Sequence, residues 1–246
     1  MKNDDRFQTR AIHIGNSPDK ESGAVAPPIH LTSTFEQEEV GKDKGFDYSR
    51  GGNPTRRRLE ENLATLEKGA YGLVFASGMA ATTTIFQTLS AGDHVIIGRN
   101  VYGGTYRMAV KVLANHGIDF EFVDTRSLEQ IRSSIKANTK LIFVETPTNP
   151  LLELCDIENT ARICKEQGVL LAVDNTFMSP YGQNPLGLGA DVVMHSATKF
   201  IGGHSDLLAG ALVTNDESLA DRLYFIQKSG GAVPSPFDCW LMLRST

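Results

Sequence analysis

From Arg58 onward the chain alternates short apolar runs with longer stretches in which apolar residues recur every three or four positions. Leu59, Leu63 and Leu66 mark a helical period that stops at Gly69. The run at 71–76 predicts a strand, and Ser77-Gly78-Met79-Ala80 opens a helix through Leu89. Further strands are predicted at 93–97, 119–123, 140–145, 169–174, 192–194 and 211–213. Helices are predicted from Val101 towards Asn115, at 127–137, 156–167 and 217–228, and around Trp240. This order implies βαβ units, hence an α/β protein whose mostly parallel sheet is sandwiched by helices. Ligands of such sheets sit at the carboxyl ends of the strands. Residues 1–55 show no sustained period and are rich in Pro, Gly and polar side chains, so they are expected to form a leader or an arm ahead of a domain at 56–246.

Composition narrows this picture. With 246 residues, 41% hydrophobic and 22% charged, the chain suits one substantial core. A formal charge of -5 argues against a nucleic-acid partner. No apolar stretch approaches a membrane span, and Met1-Lys-Asn-Asp-Asp-Arg6 lacks the apolar core of a signal peptide, so a cytoplasmic protein is expected. Cys155, Cys164 and Cys239, an odd number without metal spacing, read as reduced structural thiols.

The candidate chemistry lies where apolar runs stop. Val192-Val193-Met194 is followed by His195-Ser196-Ala197-Thr198-Lys199. A lysine held just past a buried strand is expected to be desolvated, which disfavours the ammonium form and yields a nucleophilic amine. Ser196 and Thr198 on the same turn offer hydroxyls to a phosphate. Alone, Ser-x-Thr-Lys also fits a solvated glycine-rich loop. Two other strand ends decide between these readings: 169–174 closes on an acid, Asp174, followed by Thr176, and Ser77, Gly78 and Met79 begin a helix whose amides suit an anion. An acid, a phosphate turn and a lysine at neighbouring strand ends are the parts of a pyridoxal-phosphate site. His195, His204 and Asp206 have no third histidine at ligand spacing, so no metal is expected.

The runs Val173-Asp-Asn-Thr-Phe177, Pro185-Leu-x-Leu-Gly-Ala-Asp191, His195-Ser-Ala-Thr-Lys199 and Gly203-His-Ser-Asp206 resemble the Cys/Met-metabolism family of pyridoxal-phosphate enzymes, from about Ile12 to the last residues. The family includes cystathionine γ-lyase, cystathionine γ-synthase, methionine γ-lyase and homoserine-ester sulfhydrylases. The resemblance implies the large domain of an aspartate aminotransferase-like, fold type I enzyme, with pyridoxal 5'-phosphate on Lys199. It implies Asp174 against the pyridine nitrogen, Tyr102 over the ring as a proton shuttle, and Asn149 at cofactor or substrate. Arg107 matches a family arginine near the substrate. Tyr48 and Arg50 match residues that contact the neighbouring subunit's cofactor phosphate, which implies a homodimer or homotetramer with exchanged arms. The substrate implied is a small sulfur amino acid. Gly103-Gly104 differs from the Gly-Cys of methionine γ-lyases, while Ala232-Val-Pro-Ser-Pro236 looks most like cystathionine γ-lyase. Family members continue into a C-terminal domain carrying an arginine for the substrate carboxylate, a region the resemblance does not find here. The expectation is therefore γ-elimination on cystathionine, with a γ-synthase or a non-catalytic cofactor-binding remnant as alternatives.

Overall fold

The computed structural model describes residues 6–246; Met1–Asp5, the start of the expected arm and leader, lie outside the described residues. Seven strands form one sheet: β1 (Tyr71–Phe75), β2 (His94–Gly98), β3 (Asp119–Val123), β4 (Thr139–Glu145), β5 (Leu170–Asp174), β6 (Val192–His195) and β7 (Gly210–Thr214). Their order is β1-β7-β6-β5-β4-β2-β3. The pairings β3 to β2, β2 to β4, β4 to β5 and β5 to β6 are parallel, and helical crossovers lead from each of β2, β3, β4 and β5 to the next strand in sequence. β7 runs antiparallel to both β6 and β1. The reason is the connection: from His195 to Gly210 the chain contains no crossover helix, so the next strand must return in the opposite sense.

Both faces of the sheet are covered, which is why its strands read as nearly unbroken apolar runs. On one face Phe75, Val95, Ile97, Phe143, Ala172 and Leu212 pack beneath α3 (Gly78–Phe86), α4 (Gly103–Lys111) and α8 (Glu217–Gly230). On the other, Ile96, Ile142, Val144, Leu171 and Val173 pack on α5 (Leu128–Ser134) and α6 (Ile157–Gln167). Farther along that face, Leu59 and Leu63 of α2 (Pro54–Leu66) meet Val74, Ala211 and Met242, the last from α9 (Pro236–Ser245). Cys155, Cys164 and Cys239 are all free and buried. A short α7 spans Ser179–Gly182.

The segment ahead of α2 differs in one respect from its sequence pattern. Phe7–His13 forms a helix, α1, which docks on this chain's own α2. Its anchors are polar: buried Arg10 donates to the Thr65 carbonyl at 2.5 Å, and Asn62 donates to the carbonyls of Ala11 and Ile14 at 3.1 and 2.9 Å. An apolar period could not reveal it. No helix among the described residues is long and apolar enough to cross a membrane.

Candidate active site

β1 delivers the chain to Ser77, whose hydroxyl accepts the Ala80 N–H at 3.1 Å and caps α3. The N–H groups of Gly78 and Met79, in the first turn, have no acceptor within the helix and point out of its positive end. Two close approaches fix this turn. A Cβ on Gly78 would lie 2.7 Å from the Ser196 hydroxyl, and one on Gly210 would collide with the Ser77 carbonyl. The ends of β1 and β6 and the start of β7 thus meet in a cradle that only glycine backbone permits. Ser77, Gly78 and Ser196 converge as their positions in the sequence predict.

The floor of the cradle is the end of β5. Asp174 is buried, and its Oδ1 accepts from the Thr176 hydroxyl at 2.5 Å and the Thr176 N–H at 3.0 Å. The Thr176 oxygen in turn accepts the Ser196 N–H at 2.8 Å, so Asp174, Thr176 and Ser196 form one chain of bonds. Burial pushes the Asp174 carboxyl above its ordinary range, and the bonds from Thr176 pull the other way. No ion pair among the described residues involves Asp174. Behind the floor, fully buried Glu67 accepts from the Asn175 side chain at 2.9 Å and pairs with His195 Nε2 at 2.5 Å.

Lys199 sits in the turn after β6, where its backbone N–H bonds the Ser196 carbonyl at 3.1 Å and its carbonyl accepts from Gly203 at 2.8 Å. The expectation of a desolvated side chain is not met: Lys199 is exposed, in the turn that follows the buried strand. Thr198 also differs from expectation. Its hydroxyl donates to the Ala209 carbonyl at 3.1 Å and accepts from the Ala209 N–H at 3.0 Å, so its proton is spent on closing the turn. Tyr102 lies at the start of α4 with 53% of its surface exposed, and Met79 comes within 2.8 Å of a Cβ built on Gly104, which also abuts the Tyr102 ring. Arg107, one turn on, is exposed, as is Asn149. Tyr48 and Arg50 are exposed and pair with each other, the guanidinium 5.5 Å from the ring centroid, while Arg50 donates to the Lys228 carbonyl. No hydrogen bond among the described residues ties them to Ser77 or Ser196.

Sequence reasoning passes over Glu145. This buried residue ends β4 and sits level with Asp174 in the β4–β5 register. Its Oε2 accepts the Tyr102 N–H at 2.6 Å and its Oε1 the Asn149 N–H at 3.1 Å. Burial, reinforced by the Asp174 charge, pushes its carboxyl up to about 7. The signal was present in the sequence, since an acid closing an apolar run is what marks Asp174.

The model of the Cys/Met metabolism PLP-dependent enzyme family matches residues 8–246. The chain belongs to this family. A relative named as a probable cystathionine γ-synthase in Herpetosiphon aurantiacus is 53% identical over 97% of this chain and 75% of its own length. Cystathionine γ-lyase of Bacillus subtilis is 50% identical over 96% of this chain and 62% of its own length. The crystal structure of cystathionine γ-lyase from Lactobacillus plantarum complexed with L-serine superimposes with a TM-score of 0.96 at 45% identity, covering 98% of this chain and 63% of that one. The chain thus spans about three-fifths of the length of the two γ-lyases and three-quarters of the Herpetosiphon protein. The fold is that of pyridoxal-phosphate-dependent cystathionine enzymes. The family's cofactor fits the residues present. The Gly78–Ser196 cradle offers free amides and a hydroxyl to a phosphate, and Asp174 is a buried carboxylate with no ion-pair partner among the described residues, matched to a protonated ring nitrogen.

Proposed function

We propose that this chain forms the cofactor-binding part of an enzyme that cleaves cystathionine, or a related sulfur amino acid, by γ-elimination, with pyridoxal 5'-phosphate held on Lys199. The observation that carries the reading is the convergence of Ser77, Gly78, Ser196, Thr176 and Asp174 at the ends of β1, β5 and β6, one turn before Lys199. The substrate class rests on the likeness to the two cystathionine γ-lyases. In this reading residues 1–55 serve as an arm towards a second copy, bringing Tyr48 and Arg50 to the neighbour's phosphate, and residues 56–246 form the large domain of a dimer or tetramer. Three free cysteines suit a reducing, cytosolic setting.

The residues divide the work. Ser77, the Gly78 and Met79 amides and Ser196 bind the phosphate, while Thr198 supports them by shaping the turn. When bound, the cofactor supplies an electron sink for the carbanion at the substrate Cα. Asp174, oriented by Thr176, holds the proton on the ring nitrogen. The amine of Lys199 would take the proton from the substrate Cα and return it farther along the substrate. Tyr102, exposed at the start of α4, would cover the ring and would offer its hydroxyl proton to the leaving sulfur. Asn149 would serve the cofactor or substrate, and Arg107 would serve the substrate. A second reading, γ-replacement with cysteine on an activated homoserine ester, is favoured by the name of the Herpetosiphon relative.

The test is to incubate the 246-residue chain with pyridoxal 5'-phosphate, reduce with borohydride and map the labelled peptide. Label on Lys199, lost in Lys199→Ala, is expected; a wild-type chain that takes up no label overturns the proposal. Release of 2-oxobutanoate from cystathionine then separates the lyase from the synthase, which instead consumes O-succinylhomoserine with cysteine.

A further inference from the structure

Two loops carry the residues that would face the cofactor ring: the one after β2, with Tyr102, and the one after β4, with Asn149. They come from different strands, and both expose their side chains. Tyr102 stands at the N-cap of α4 without giving that helix a side-chain cap. What ties Tyr102 to Asn149 is one carboxylate. Glu145 takes the Tyr102 N–H on one oxygen and the Asn149 N–H on the other, and its carboxyl lies against the positive end of α4. An outer tie runs parallel to it: the Asn100 side chain donates to Glu153 at 2.5 Å, and Arg126 pairs with Glu153 at 3.0 Å.

We propose that Glu145 is a positioning residue: a single buried carboxylate that locks Tyr102 to Asn149 and, standing beside Asp174, keeps a place for a cationic ring. The lock stands on hydrogen bonds alone; the cationic ring rests on the function proposed above. Neighbouring strands of a sheet lie about 5 Å apart, so carboxylates paired in register repel each other unless a positive charge joins them. Asp174 is the charged group facing Glu145 from β5, while the loops after β2 and β4 face it with the Tyr102 and Asn149 N–H groups. The guanidinium of Arg99 is spent on Asp124, and that of Arg126 on Asp124 and Glu153. The held proton on Glu145 near neutral pH fits this arrangement. A cation against Asp174 removes the repulsion, so uptake of the cofactor should expel that proton.

Glu145→Gln separates the roles, because an amide can accept only one of the two N–H groups and turns its own NH2 on the other. In the cofactor-free chain, exchange of the Tyr102 and Asn149 amides, read by NMR, should quicken by about tenfold or more on one or both of them, while Ile96 in the sheet keeps its rate. Wild-type rates at both amides would overturn the lock. Titrated with pyridoxal 5'-phosphate between about pH 6 and 8, the wild type should gain affinity with pH more steeply than E145Q, by up to about one proton per site; parallel profiles would overturn the reserved charge. Should the wild type bind no cofactor at all, the proposed function falls, and the amide rates still decide the lock. If E145Q does not fold, Glu145→Asp, too short to reach both loops, is read for the amide rates and Glu145→Ala for the pH slope.

Discussion

Two clusters of charged residues occupy opposite ends of the same sheet, and they are finished differently. At the amino ends of β2 to β4, buried His94 bonds Thr139 at 2.8 Å and meets Lys136 at 3.1 Å, and Lys136 reaches Glu121 at 3.0 Å and Asp119 at 3.4 Å. Burial and the Lys136 charge hold His94 below its ordinary value, while bonds from Ser134 and Lys136 hold Glu121 below its own. Every charge there has a partner within the chain. At the carboxyl ends of β4 and β5, Glu145 and Asp174 lie side by side, both pushed upward by burial. The first cluster is complete; the second is short of one positive charge. Carboxylates buried without a counterion cost stability and persist where a ligand makes use of them.

The sharpest control is a third carboxylate at the same end of the sheet that does have its partner. Glu67 is as buried as Glu145, yet it is bonded to His195, Asn175 and, at 3.4 Å, Asn184. Glu67→Leu strands His195, whose Nδ1 already lacks a partner, while Asn175 and Asn184 keep their backbone acceptors. The expected loss is about 3 kcal/mol in urea unfolding of the cofactor-free chain, the largest of this set. A loss no greater than that of E145Q would mean that the pair is no better built than the unpaired acid, and the contrast would collapse.

The next effect is a pH dependence of opposite origin. Glu145 and Glu60, a partly buried acid of α2, have carboxyls pushed up to about 7 from 4.5, both chiefly by burial. The folded chain therefore holds protons that the unfolded chain has released. Stability from these groups is complete below about pH 4.5 and is lost as the pH rises through about 7. Unfolding free energy measured at pH 5.5 and 8 should fall with pH. E145Q should remove on the order of 1–2 kcal/mol of that fall, leaving the share of Glu60. A wild-type curve flat across this range would sink the account.

Much of this was legible before the structure. The predicted strand at 119–123 is β3 to the residue, and Asp156 and Gly168 bracket α6 as N-cap and left-handed C-cap. Runs apolar on both faces and side-chain caps are local signals, so they survive in the sequence. Asp174, as an acid closing such a run, was equally visible, and the same rule applies to Glu145. What could not be read depends on register. Glu67 meets His195 across 128 positions, and the level pairing of Glu145 with Asp174 exists only once β4 lies beside β5. Helix α1 escaped because its anchors are polar, and Lys199 proved exposed although it follows a buried strand, since it lies in the turn and not in the strand.

The smallest effect belongs to the completed cluster. Lys136 is half exposed, and its partners Asp119 and Glu121 are also open to solvent, so water already screens most of what the pairs contribute. Lys136→Met should lower the unfolding midpoint by less than about 3 °C at low salt, and by less still at 1 M salt. It should also raise the His94 titration, since the Lys136 charge is one of the two causes holding that imidazole down, and NMR of the ring protons reads this directly. Burial remains after the substitution, so the rise should be partial. A full return to the ordinary histidine value would mean that Lys136 alone had set it. An unchanged value would mean that this end of the sheet is governed by burial, as the other is, and that the two clusters differ less than their geometry says.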